Sequence, residues 1–185
     1  MTNNSYNMKS ARIQGHENNP PGRISPLSLT HLPIYAEVIR QSFATAAADY
    51  NLTKTNCPGH WSFKTDEELA DKFKAGYHPF GYFLDEKLIG FVSLSDKGKG
   101  VYEMNAVSIL PEYRHFGYGK LLLDFCKKKV VELGGSRINI SLAETDTVLK
   151  EWYIANDFIH TRTETFEYLP LPLGYMVWEA YPTHV

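Results

Sequence analysis

Residues 107–125, VSILPEYRHFGYGKLLLDF, join the end of an apolar strand-like run to the start of a helical one through Pro111, Arg114 and the glycines Gly117 and Gly119. After the glycines, Leu122, Phe125, Cys126, Val130 and Leu133 recur at helical spacing until Gly134 and Gly135 stop the pattern. Before them, VYEMNAVSIL (101–110) is a strand that Pro111 ends. A turn of this kind offers consecutive main-chain N–H groups at a helix N-terminus. Without Cβ atoms at Gly117 and Gly119 the chain can approach an anion closely, and the helix dipole and Lys120 favour that anion. A P-loop would need Ser or Thr after Gly-Lys, but Leu121 follows Lys120. The dinucleotide fingerprint would need a third glycine where Leu122 stands. A pyrophosphate without Mg²⁺ is the ligand the turn suits.

Working outward, RISPLSL (23–29) predicts a strand, and residues 30–50 predict a helix capped by Thr30 with Ile34, Val38, Ile39 and Phe43 on its apolar face. A polar segment containing Pro58 and Gly59 leads to a second helix, where Thr65 and Glu68 fit a capping box and Gly76 closes the turn. Residues 80–84 and 88–95 read as a hairpin with its turn at 85–87. Beyond the glycine helix come the strand RINISLA (137–143), the helix TVLKEWYIAN (147–156), and two final strands around the proline-containing loop 169–173. The fold is α/β with hairpins at both ends. Residues 1–22, rich in Asn, Gly and Pro and without periodicity, predict a loose N-terminal extension to a domain spanning 23–185.

The totals exclude several functions. With 185 residues and 43% apolar content the chain suits one domain with a sizeable core. Lys plus Arg number 19 against 21 Asp plus Glu, and a net charge of −2 provides no general attraction to nucleic acid or an anionic membrane. No apolar run suits a signal peptide or membrane span, so a cytoplasmic location is expected. The two cysteines, Cys57 and Cys126, imply no disulfide framework, and Cys126 falls on the apolar side of a helix as a core thiol. Without CxxC or clustered histidines, no metal is expected.

The stretch from Ala106 to Phe125, with its strand, its proline and Arg114-x-x-Gly117-x-Gly119, resembles motif A of the GNAT family of N-acetyltransferases. Motif residues lie within 101–158, while element order matches over roughly 23–181. The resemblance implies a mixed, mostly antiparallel twisted sheet of six to seven strands with helices on both faces and a splayed strand pair holding acetyl-CoA. The pantetheine arm would pair with Val107, Ser108 and Ile109 like an added strand. Main-chain groups of Arg114, His115, Phe116, Gly117, Tyr118, Gly119 and Lys120 would hold the pyrophosphate.

Acetyl transfer to an amine needs a neutral nitrogen, a stabilised oxyanion and a proton for the departing thiolate. An amine with a pKa of about 10.4 is nearly all protonated at neutral pH, so a carboxylate is wanted beside it. Glu103, eleven residues before Arg114, stands where several family members carry a catalytic glutamate. Period-two alternation predicts that Glu103, Asn105 and Val107 share one face. Tyr153, in EWYIANDF, matches the family's tyrosine acid; a phenol of pKa about 10 can protonate a thiolate whose thiol has a pKa of about 8.5. The backbone N–H of Val107 would meet the oxyanion. No cysteine accompanies a histidine constellation, so direct transfer in a ternary complex is expected. Two residues depart from the family's pattern: Asp157 replaces a frequent glycine, and LAETDT lacks an asparagine common after the preceding strand.

Tyr50, Trp61, Asn105 and Phe166 are the expected acceptor contacts, for a small-molecule or peptide amine. The alternative from another class is a catalytically silent CoA-binding sensor or interaction module. A third, a nucleic-acid-directed acetyltransferase, is disfavoured by the charge balance. The final strands could pair across a homodimer.

Overall fold

The structure is a computed structural model describing residues 22–180. The expected extension, apart from Gly22, lies outside the described residues. The described residues fold into seven strands and four helices: β1 (Arg23–Pro26), α1 (Leu32–Asp49), α2 (Asp66–Lys74), β2 (Tyr77–Leu84), β3 (Lys87–Asp96), β4 (Val101–Ile109), α3 (Tyr118–Glu132), β5 (Arg137–Ala143), α4 (Thr147–Ile154), β6 (Ile159–Glu164) and β7 (Leu173–Glu179).

The strands form one sheet in the order β1-β2-β3-β4-β5-β7-β6. All neighbours run antiparallel except β4 and β5. That parallel pair is short. Val101, Tyr102 and Glu103 face Arg137, Ile138 and Asn139, after which β4 has no partner on that side and β5 continues against β7 alone. A V-shaped opening therefore begins just past Glu103.

Two cores cover the sheet. On one face Leu122, Leu123, Cys126 and Val130 of α3 and Tyr153 of α4 pack with Leu94, Met104, Ile138 and Met176. On the other, Tyr35, Val38 and Ile39 of α1 and Leu69 of α2 pack with Leu88, Phe91 and Leu110. The helical spacing in the sequence identified Leu122, Cys126 and Val130 correctly. Ile34 and Leu133 depart from expectation: both are about half exposed, because each sits at the rim of its stripe while Tyr35 and Ala36 take the inner positions of α1.

The capping box of α2 forms as expected, Thr65 Oγ1 accepting from the Glu68 amide at 3.2 Å and the Thr65 amide donating to Glu68 at 2.9 Å. At α1 the start differs. Thr30 lies inside a 3₁₀ turn, Leu29–His31, fixed by the Ser28 amide donating to His31 Nδ1 at 3.1 Å, and the helix begins at Leu32-Pro33. The proline pre-sets the helical φ and so moves the N-terminus past the threonine.

Candidate active site

Within β4 the strand alternation slips. Asn105 pairs with Ser93 and Ser108 with Phe91, so Ala106 and Val107 together oppose Val92, and Ala106 takes φ 53°. This is a β-bulge, one extra residue on the bulged strand. Paired residues share a face, so Glu103, Asn105 and Ser108 look toward α1 and α2, while Val107 and Ile109 look toward α3. The expectation that Glu103 and Val107 share a face is thereby corrected: the bulge puts them on opposite sides. Ser108 is buried, and its hydroxyl donates to the Ala106 carbonyl at 2.7 Å, closing the bulge.

Past β4, Pro111–Tyr113 makes a 3₁₀ turn, and the Arg114 amide donates to the Pro111 carbonyl at 3.2 Å. Arg114 therefore leaves the expected series of free amides. From His115 to Lys120, no main-chain N–H donates to another described residue, and the α3 ladder starts only at Leu121, which donates to Gly117. His115 at φ 66° and Gly117 at φ 86° bend the backbone at two points within this run of donors. At Gly119 an added Cβ would stand 3.6 Å from the Trp152 ring, which lies across the turn from α4. Phe116 is exposed, and Tyr118 packs on Tyr82 with ring centroids 5.3 Å apart. Lys120 pairs with Asp124 one turn along the helix, which tempers the charge it offers an anion.

The Arg114 side chain turns away from this turn. Its guanidinium donates to the Ser42 carbonyl at 2.7 Å, Thr45 Oγ1 at 3.0 Å and the Ile109 carbonyl at 3.1 Å. It ties the turn to α1 and to the end of β4. Burial lowers its affinity for the proton, with Asp49 opposing.

Glu103 lies at the point where β4 and β5 separate. Its carboxylate pairs with Lys97 at 2.6 Å, and this hydrogen bond holds the lysine's proton more tightly than usual. Asn105 Nδ2 donates to the Glu103 carbonyl at 3.2 Å. On the opposite face Tyr153 is 5% exposed, between Trp152 and Phe158, with ring centroids at 4.9 and 5.2 Å. Burial pushes its phenol well up, and neighbouring Cys126 adds to the shift. The α4 helix ends properly despite lacking the family's glycine. Asp157 itself adopts φ 65°, and the Phe158 amide donates back to the Tyr153 carbonyl at 3.0 Å.

The four expected acceptor residues are not gathered in one place. Trp61 lines a pocket between α1, α2 and the sheet whose floor includes Ser93, the pairing partner of Asn105. Tyr50, at the end of α1, lies beside Asp146 at the start of α4; burial first, then Asp146, raises its phenol. Phe166 packs on Tyr168 in the β6–β7 loop, at a 5.4 Å centroid distance, and lines no part of the Trp61 pocket. Lys97, Lys72 and Tyr77 escaped the sequence reading. The glycine-flanked hairpin Lys97–Gly100 was the one signal that could have brought Lys97 next to Glu103.

Residues 47–155 match the sequence profile of the acetyltransferase (GNAT) family. The chain belongs to this family and is, by class, an acyl-CoA-dependent N-acetyltransferase. Solved structures share the fold. The PaiA N-acetyltransferase of Thermoplasma acidophilum in complex with coenzyme A superposes with a TM-score of 0.71 at 22% identity, covering 86% of this chain and 99% of that one. The ribosomal-protein-S18-alanine N-acetyltransferase of Escherichia coli gives 0.70 at 14% identity, covering 88% and 97%. A GNAT acetyltransferase of Elizabethkingia anophelis with acetyl-CoA bound gives 0.64 at 13% identity, covering 85% and 97%. No curated protein sequence matches the chain. Among the described residues no helix is long and apolar enough to cross a membrane.

Proposed function

We propose that the protein transfers an acetyl group from acetyl-CoA directly to the amine of a small molecule or peptide. The observation carrying this reading is the run of six main-chain donors, His115 to Lys120, at the start of α3 and beside the opening between β4 and β5. These donors suit a diphosphate, and the unpaired inner edge of β4 suits the amide-bearing arm of coenzyme A.

In the reaction the amine nitrogen attacks the thioester carbonyl, the C–S bond breaks, the nitrogen loses a proton and the thiolate gains one. Glu103, directly or through a water, takes the proton from the acceptor ammonium. The bulge leaves the Val107 main chain outside the regular β3–β4 register, which supports its N–H as the donor to the oxyanion. Tyr153, protonated across the neutral range, donates to the sulfur.

The test pairs calorimetry with turnover. Coenzyme A should bind the wild type, Glu103→Gln and Tyr153→Phe with similar affinity, while both variants lose about 10²-fold or more in kcat on a responsive primary amine. Coenzyme A binding without acetylation of any amine in a broad panel would instead support a silent binding module.

A further inference from the structure

The pocket on the α1/α2 side of the sheet has an apolar wall and floor, among them Trp61, Leu69, Pro79 and Phe91. One charged group, Lys72, lines it. The Lys72 ammonium lies 4.9 Å from the centroids of both Trp61 and Tyr77. Glu68, one turn back on α2, is engaged by Lys64 at 2.7 Å, and no carboxylate among the described residues forms an ion pair with Lys72. Cation–π contact with two rings holds the ammonium in position, and Glu68, whose carboxyl is lowered first by Lys64 and also by Lys72, tempers its charge without pairing with it. Lys97 lies 6.0 Å from the Tyr77 ring, but its charge is answered by Glu103.

Strand pairing links this pocket to the cleft. Tyr77 pairs with Ser95 and Ser95 with Glu103, so the three form one row across β2, β3 and β4 on the same face. At 4.7–4.9 Å per strand, Tyr77 and Glu103 are about 10 Å apart. An acceptor lying along this row with its nitrogen at Glu103 would bring its far end to Tyr77, whose ring centroid lies 4.9 Å from the Lys72 ammonium.

We infer that the acceptor is an elongated amine carrying an acidic group about 10 Å from its nitrogen, the acid seated on Lys72 between Trp61 and Tyr77. This rests on the acetyltransferase reading above. A second cation at the far end is disfavoured, because it would meet the like charge of Lys72.

The test uses matched acceptors: 8-aminooctanoate against octylamine, and 6-aminohexanoate against hexylamine, with acetyl-CoA. The expected result is at least a tenfold higher kcat/KM for 8-aminooctanoate than for octylamine, with a smaller advantage in the shorter pair. Lys72→Gln should bring the octyl ratio close to one through KM, and Lys72→Arg should preserve it. Octanoate, which has no amine, should give heat with the wild type and not with Lys72→Gln. Equal rates within the octyl pair, or equal effects of Lys72→Gln on both members, would overturn the inference and leave acetyl transfer standing. Lys72-dependent octanoate binding without acetylation of any amine would keep the acid seat and overturn the acetyl-transfer reading.

Discussion

Tyr153 illustrates how burial changes a single residue. Desolvation raises its phenol above the ordinary value of about 10, which holds the proton more tightly and makes its transfer to the thiolate more uphill than from an exposed phenol. The same shift affects stability. A phenol with a raised folded pKa contributes stability that is complete below about pH 10 and is lost as pH climbs toward the folded value. Thermal denaturation followed from about pH 8 to 11 should show the melting temperature of the wild type falling more steeply at the alkaline end than that of Tyr153→Phe. A parallel fall in both would mean that the phenol ionises as easily folded as unfolded. Tyr153 was legible in the sequence through its place on the helix after β5, but its burial was not, since a tyrosine beside Trp152 could equally have faced solvent. Arg114 is the reverse case. The motif marked it as part of the phosphate-binding turn, and only the fold brings Ser42 and Thr45 within reach of its guanidinium, 72 and 69 residues away.

Among the elements, α3 and its glycine turn were the most legible. A helix stripe ending at paired glycines and starting at Gly117 leaves few alternatives, and the donors there are main-chain atoms that need no particular side chain. The bulge in β4 was not legible. Asn-Ala-Val-Ser carries no glycine to announce φ 53° at Ala106, and simple alternation runs straight through it. Ala106→Gly should be tolerated with little loss of stability, whereas Ala106→Val, a β-branched residue in left-handed backbone, should cost about 1–3 kcal/mol. Urea unfolding of both variants measures the difference. Arg114→Ala leaves two main-chain carbonyls of the turn's anchor without their donor and should cost about 1.5–3 kcal/mol, with weaker binding of coenzyme A. Arg114→Lys should recover little of either, because an ammonium cannot reproduce the fork that reaches Ser42, Thr45 and Ile109 together.

Across the whole molecule, the two cores separate the two cysteines. Cys126 lies in the α3-side core with no exposure, and burial pushes its thiol well up, while Cys57 is only half buried in the segment after α1. A thiol-reactive disulfide reagent should titrate Cys57 in the native protein and reach Cys126 only on unfolding; rapid native reaction of both would contradict a closed core. The sequence disclosed the order of strands and helices because each follows from local pattern. It did not disclose the row joining Tyr77, Ser95 and Glu103, since that depends on pairing across three strands.

The extra residue in β4 has a further consequence. Glu103 and Asn105 ahead of Ala106 and Ser108 behind it address the space beneath α1 and α2, while Met104 ahead and Val107 and Ile109 behind address the α3 side. One continuous segment thus serves two clients from opposite surfaces, and inherited changes confined to one face can retune one without detuning the other.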